Sequence, residues 1–176
     1  MIIWINGTFG AGKTTTCTEL ARLLEGTSAI YDTEFVGYLL RAPMLPIEPV
    51  EDFQQWPLWR SLVVEAGRQI RDYTGRSLLV PQTVLVEQYW REIAAGFAKE
   101  NIPVRHFCLH TDRDTLMHRI ETDQVEAGAL RWRLDHLDGY DQARSWLTDA
   151  ASTIDTTDKS PNEVAKEIMS QLNGLA

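Results

Sequence analysis

Cysteine is nearly absent: the 176 residues include two, Cys17 and Cys108. Cys17 falls on the apolar stripe of a helical pattern and Cys108 inside the apolar run Val104–Leu109. Both read as reduced core residues rather than a disulfide or a metal pair. Long apolar runs are missing as well. None approaches the roughly 18–20 residues of a membrane span, and no basic-then-apolar leader precedes the first strand. The expectation is a cytoplasmic protein. Bases are outnumbered, 17 Lys and Arg against 25 Asp and Glu, for a net charge of −8. An acidic surface argues against broad nucleic-acid binding, which needs clustered cations on phosphates. A few arginines gathered in a pocket still suit a small anionic ligand. Repeats and low-complexity linkers are lacking too, and the length suits one domain over residues 1–176 with a sizeable core. The four histidines, His106, His110, His118 and His136, have no metal-ligand spacing and are assigned no role.

What is present is concentrated near the start. Gly7-Thr8-Phe9-Gly10-Ala11-Gly12-Lys13-Thr14 matches G-x-x-x-x-G-K-[ST] at every fixed position. The run Met1–Ile5 ahead of it is apolar and β-branched, as in a buried strand. Behind it, Cys17, Leu20, Ala21 and Leu24 recur with the spacing of an amphipathic helix. Strand, glycine loop and helix N-terminus together form an anion trap, because glycines let the backbone N–H groups turn inward and the helix dipole adds positive potential. Gly7, Gly10, Ala11, Gly12 and Thr15 shape the cradle. Lys13 would reach the outer phosphates and the Thr14 hydroxyl would ligate Mg²⁺. The expected ligand is a nucleoside triphosphate, ATP, with Mg²⁺.

Further along, Ser28–Tyr31, Ser77–Val80, Val104–Leu109 and Ser152–Ile154 read as four more strands. Helices are expected between them: a brief one over Phe35–Arg41, then Trp56–Tyr73, one carrying Leu85, Tyr89, Ile93 and Phe97, and one from Thr111. Another runs over Leu130–Ala150 with a break at Gly139. The three prolines in Ala42–Pro49 mark a structured loop, and Thr122–Ala129 is a polar connection. Ser160, Pro161 and Glu163 spell a capping box for a last helix. Five strands alternating with helices indicate an α/β fold of three layers, a parallel sheet covered on both faces. Ligands in such sheets sit beyond the carboxyl ends of the strands.

Phosphoryl transfer needs charge on the phosphates, a metal, and a group that orients or deprotonates the acceptor. Asp32 and Glu34 stand at the carboxyl end of the second strand. There a carboxylate takes an acceptor proton or holds Mg²⁺ through water, or else caps the next helix. The third strand ends Leu79-Val80-Pro81-Gln82-Thr83 with no acid in the magnesium-positioning place. Gln82 and Thr83 would bond a polar substrate, or finish the strand. Glu87, one turn into the following helix, is a displaced acid or a solvated one. Arg119, Arg131 and Arg133 surround the polar connection, which would act as a closing lid over about residues 122–133; the alternative is exposed pairing with Glu121, Asp135 or Asp138. Arg60, Glu65 and Arg68 line an acceptor pocket or a solvated helix face. Trp56 and Trp59 offer a flat apolar wall or fill the core.

With these residues in place the chain resembles the P-loop kinases of small molecules, and within them the tunicamycin-resistance ATP-binding proteins. The likeness is carried by the segments 3–14, 36–41, 58–60, 131–136 and 154–157, scattered over most of the chain. It implies a nucleotide-kinase-like α/β/α fold with a short lid, ATP–Mg²⁺ binding, and phosphotransfer to a hydroxyl of a small molecule such as a nucleoside-type antibiotic. By the family pattern Lys13 and Thr14 face nucleotide and metal, Asp32 is the acceptor-side carboxylate, Arg119 starts the lid, and backbone at Asp155-Thr156 approaches the base. Two rivals stand beside this: a protein that closes over a drug without chemistry, and a metabolic nucleoside or nucleotide kinase. Whether the chain forms a homodimer is open at this stage.

Overall fold

The computed structural model describes the backbone of residues 1–122 and 130–174, and the side chains of 1–122 and 137–174. β1 (Ile2–Asn6), β2 (Ser28–Ile30), β3 (Ser77–Pro81), β4 (Val104–His110) and β5 (Ser152–Asp155) form one sheet in the order β2-β3-β1-β4-β5. Every pairing is parallel. Parallel neighbours need crossovers, supplied here by α1 (Lys13–Leu23), α2 (Glu34–Met44), α3 (Pro57–Thr74), α4 (Glu87–Lys99), α5 (Arg113–Thr122) and α6 (Leu130–Ala150), while α7 (Pro161–Asn173) follows the last strand.

Alternation along β1 sorts the core. Ile2 and Trp4 join Leu78, Val80, Trp59, Trp90 and Phe97 on the face covered by α3 and α4. Ile3 and Ile5 point the other way, among Cys17, Leu20, Leu116, Val164 and Ile168 from α1, α5 and α7. All five residues of β1 are buried, which is why Ile2–Ile5 reads as an unbroken apolar run. Cys17 and Cys108 are both free and buried, as expected. Trp56 and Trp59 are core filler, 1% and 0% exposed.

Three expectations need correction. α2 does not stop at Arg41 but runs through Ala42 and Pro43 to Met44. A proline in the last turn forfeits a single backbone bond, so the helix survives it, and Pro46 and Pro49 lie beyond its end. α6 is continuous across Gly139, where a Cβ would meet Leu85 at an ordinary 3.6 Å. Glu87 is the first residue of α4, not one turn inside it. It is half-buried and pairs with Arg91 at 2.6 Å. Leu85 accordingly packs with Tyr140, Ala143 and Leu147 instead of on the face of α4.

Candidate active site

Gly7, the first residue after β1, has φ 139°, and a Cβ there would lie 2.7 Å from the Leu109 carbonyl oxygen of β4. Only glycine lets the loop pass so close to the sheet. Gly12 closes the loop in the left-handed region, φ 90°, and is the N-cap of α1; no side chain caps that helix. Its first-turn N–H groups, with the dipole behind them, are left to an external anion. Lys13 Nζ donates to the Thr8 carbonyl at 2.9 Å and lies 5.5 Å from the Phe9 ring centre. Thr15 donates to the Gly12 carbonyl at 2.9 Å. Thr14 is exposed beside it, and Ala11 is buried. The Thr8 hydroxyl is wholly buried with no partner among the described residues.

A glycine cradle that a Cβ would fill, an uncapped helix N-terminus and an orphaned hydroxyl all fit a phosphate chain. For magnesium the chain offers less. Among the described residues no three His, Cys, Asp or Glu side chains converge as a metal site. An ion here would be held by Thr14, phosphate oxygens and water, with Asp32 reaching it through water.

The segment after β3 fixes the loop from the other side. Asn6 Oδ1 accepts from the N–H of Gly7 at 2.8 Å and of Val84 at 3.0 Å, while its Nδ2 donates to the Val84 carbonyl at 2.9 Å. Thr83 donates to the Gly7 carbonyl at 2.7 Å. Gln82 is 4% exposed; its Oε1 accepts from the Thr33 hydroxyl at 2.7 Å and its Nε2 donates to the Thr83 carbonyl at 3.2 Å. Gln82 and Thr83 are therefore turned inward as connectors, the strand-finishing alternative rather than the substrate-binding one.

Through Thr33 that connection reaches the acceptor side. Trp59 Nε1 donates to the Thr33 carbonyl at 3.2 Å, and one oxygen of half-buried Asp32 accepts from the Glu34 N–H at 2.9 Å. Thr33 is the N-cap of α2 and makes no side-chain cap bond; the residue before it, Asp32, holds the first N–H of the helix with Oδ1. Glu34 accepts from the Tyr38 hydroxyl at 3.1 Å. Burial pushes the Cys17 thiol up to about 12, with Lys13 lowering and Asp32 raising it, so both charged groups act on one point of α1.

Arg119 gathers the third side. It donates to the Thr156 carbonyl at 2.9 Å, the Thr157 carbonyl at 3.3 Å, the Thr156 hydroxyl at 3.2 Å and the Gly10 carbonyl at 3.4 Å. The phosphate loop, α5 and the turn after β5 meet on this one guanidinium. Asp155 holds that turn by accepting from the N–H and hydroxyl of Thr157, bonds that lower its carboxyl below the ordinary range. Arg60 is elsewhere. It is 6% exposed, pairs with Glu92 at 2.5 Å, donates to the Gln54 carbonyl and stacks on Tyr89 at 4.3 Å. It clamps a 3-10 turn (Phe53–Gln55) to α3 and α4, correcting its place in an acceptor pocket. Glu65 and Arg68 pair on an exposed face. The side chains of Arg131 and Arg133, and most of the expected lid, lie outside the described residues. Cavities of about 370 Å³ between α4 and α6, and about 290 Å³ beside His110, include none of the loop residues.

No family model matches the chain, and no curated protein matches it either. Solved structures do. The Deinococcus radiodurans tunicamycin resistance protein is 28% identical, with 97% of this chain and 94% of that one covered at a TM-score of 0.72. The chain has the fold of the P-loop small-molecule kinases. Mycobacterium tuberculosis APS kinase, solved with AMPPNP and APS, aligns at 17% identity over 98% and 96% of the two chains, TM-score 0.70. Aquifex aeolicus shikimate kinase does so at 20% identity over 99% and 97%, TM-score 0.62. This P-loop kinase fold puts the loop after β1 and the carboxylates after β2 at the same, carboxyl-terminal end of the sheet. Asn6 and Thr33 are the site residues that sequence reasoning passed over. A polar residue closing an otherwise apolar strand was the available signal for Asn6.

Proposed function

We propose that this protein is an ATP-dependent kinase, a single domain with a lid over about residues 122–133, that moves the γ-phosphoryl group to a hydroxyl of a small molecule. The observation that carries the reading is the buried chain Gly7–Thr83–Gln82–Thr33, which ties the phosphate loop to the backbone beside Asp32. A donor site and a carboxylate fixed to one frame suit direct transfer. Lys13 turns from the Thr8 carbonyl to the phosphates, and Arg119 sits where the loop meets the turn that would carry the base. Bound Mg²⁺ supplies further neutralisation of phosphate charge. Asp32, with Oδ1 committed to Glu34, keeps Oδ2 for the acceptor hydroxyl, takes its proton as the oxygen attacks, and ADP leaves.

Tunicamycin or another nucleoside-type antibiotic is the acceptor class we favour, on the likeness to a tunicamycin resistance protein. That likeness, with no acid closing β3, also supports a second reading in which the chain closes over a drug with ATP and performs no chemistry. A metabolic nucleoside or nucleotide kinase is the third. ADP release is to be measured with Mg·ATP against nucleosides, nucleotides, sugars and uridine-type antibiotics, with mass spectrometry of each acceptor. One added phosphoryl group on a panel member is the expected result. Tight, stoichiometric binding with no ADP and no mass change would favour sequestration.

A further inference from the structure

His106 was given no role from the sequence and lies on β4, outside the residues assigned above. Its Nδ1 is 3.1 Å from the Ala150 carbonyl, where α6 meets β5, and its Nε2 is 3.3 Å from Asn6 Nδ2. A carbonyl only accepts, so Nδ1 carries the proton and donates. Nε2 is then an acceptor, and the edge of Asn6 facing it has to be the NH₂. The ring is held flat by stacking on Trp90 at 3.8 Å.

That selection matters because the Asn6 carboxamide has two possible orientations. In the one observed its oxygen receives both the Gly7 and the Val84 N–H. Flipped, it would set NH₂ against two N–H donors and oxygen against both the Nε2 lone pair and the Val84 carbonyl, four mismatched contacts in a site where Asn6 is 0% exposed. We propose that His106 is a positioning residue for the phosphate loop: its Nδ1–H tautomer, chosen by the Ala150 carbonyl, fixes the Asn6 carboxamide and through it the Gly7 N–H. The inference rests on the reading of that loop as a nucleotide site and adds the device that sets its geometry. Burial holds the imidazole down to about 4, which keeps Nε2 an acceptor at neutral pH.

The first test needs no variant. Nitrogen NMR of the wild-type chain should show His106 as the Nδ1–H tautomer at neutral pH, and Mg·AMPPNP should shift the Asn6 side-chain NH₂ signals. An Nε2–H tautomer overturns the inference. Calorimetry with Mg·AMPPNP then compares variants. His106→Phe keeps the stacking and loses the acceptor, and should weaken binding about tenfold. His106→Gln, whose Oε1 reaches the place of Nε2, should recover most of it. In an Asn6→Ala background His106→Phe should add nothing. A His106→Phe chain that melts lower but binds within about twofold of wild type has a merely structural histidine, and the inference fails. No AMPPNP binding by the wild-type chain would instead sink the kinase reading, and the ring tautomer would still decide the His106–Asn6 geometry.

Discussion

Gly7 shows how little room a single position leaves. A Cβ placed 2.7 Å from the Leu109 carbonyl oxygen pushes either the loop or β4 aside. Gly7→Ala should lower the melting temperature and abolish AMPPNP binding in calorimetry; unchanged affinity would mean that the loop tolerates displacement. Asp32 has the opposite character: one oxygen serves the fold on the Glu34 N–H, and in the proposed function the other serves the acceptor. Asp32→Asn keeps an oxygen for the Glu34 N–H. It should therefore leave nucleotide affinity intact and slow phosphotransfer about a hundredfold or more, measured by ADP release once an acceptor is in hand. Turnover surviving in Asp32→Asn would move the base elsewhere. At this scale the glycine loop was legible because a local motif spells it, and the position of Asp32 was legible because it follows the end of a strand. Thr83 on Gly7 was not: the partners stand 76 residues apart, and nothing local in the sequence announces the pairing.

Among the elements, those with chemical punctuation were the readable ones. α7 starts where Ser160 and Glu163 say it does, with both capping bonds made. Ser160→Ala should cost about 1 kcal/mol in denaturant unfolding and leave nucleotide affinity alone. α2 ran past its expected end because a proline in a final turn is cheap, and α4 began late because Leu85 belongs to a different cluster. Periodicity alone could not tell those cases apart. Arg60 is the instructive misreading. An arginine on an amphipathic helix looks the same from sequence whether it meets a substrate, water or a buried carbonyl. Arg60→Met should destabilise the fold by about 2–3 kcal/mol, because the Gln54 carbonyl and Glu92 lose their partner. An acceptor KM that rises in a fully stable Arg60→Met chain would restore it to the binding site.

For the molecule as a whole, the order of strands and helices and the parallel sheet were readable from alternation, whereas the sheet order was not, since it depends on which strands meet in space. Acid should loosen the whole. Burial in the folded chain holds the His106 imidazole at about 4, down from its ordinary value of 6.5. Between those values the unfolded chain binds a proton that the native chain refuses, so stability falls as pH drops through that window and is insensitive to this group above it. The loss is on the order of 3 kcal/mol, checked by urea unfolding at several pH values, with His106→Phe flattening the slope.

β1 is the strand that carries the phosphate loop, and it lies between β3 and β4. Made before the other four strands, it has no neighbour in the sheet to bond until residue 81 has emerged, and its second edge waits for residue 110. The nascent chain thus exposes its most apolar strand for much of synthesis, a hazard for aggregation and a natural point of call for a chaperone. The anion trap is encoded ahead of the strands that flank it but is among the last features of the sheet to be assembled.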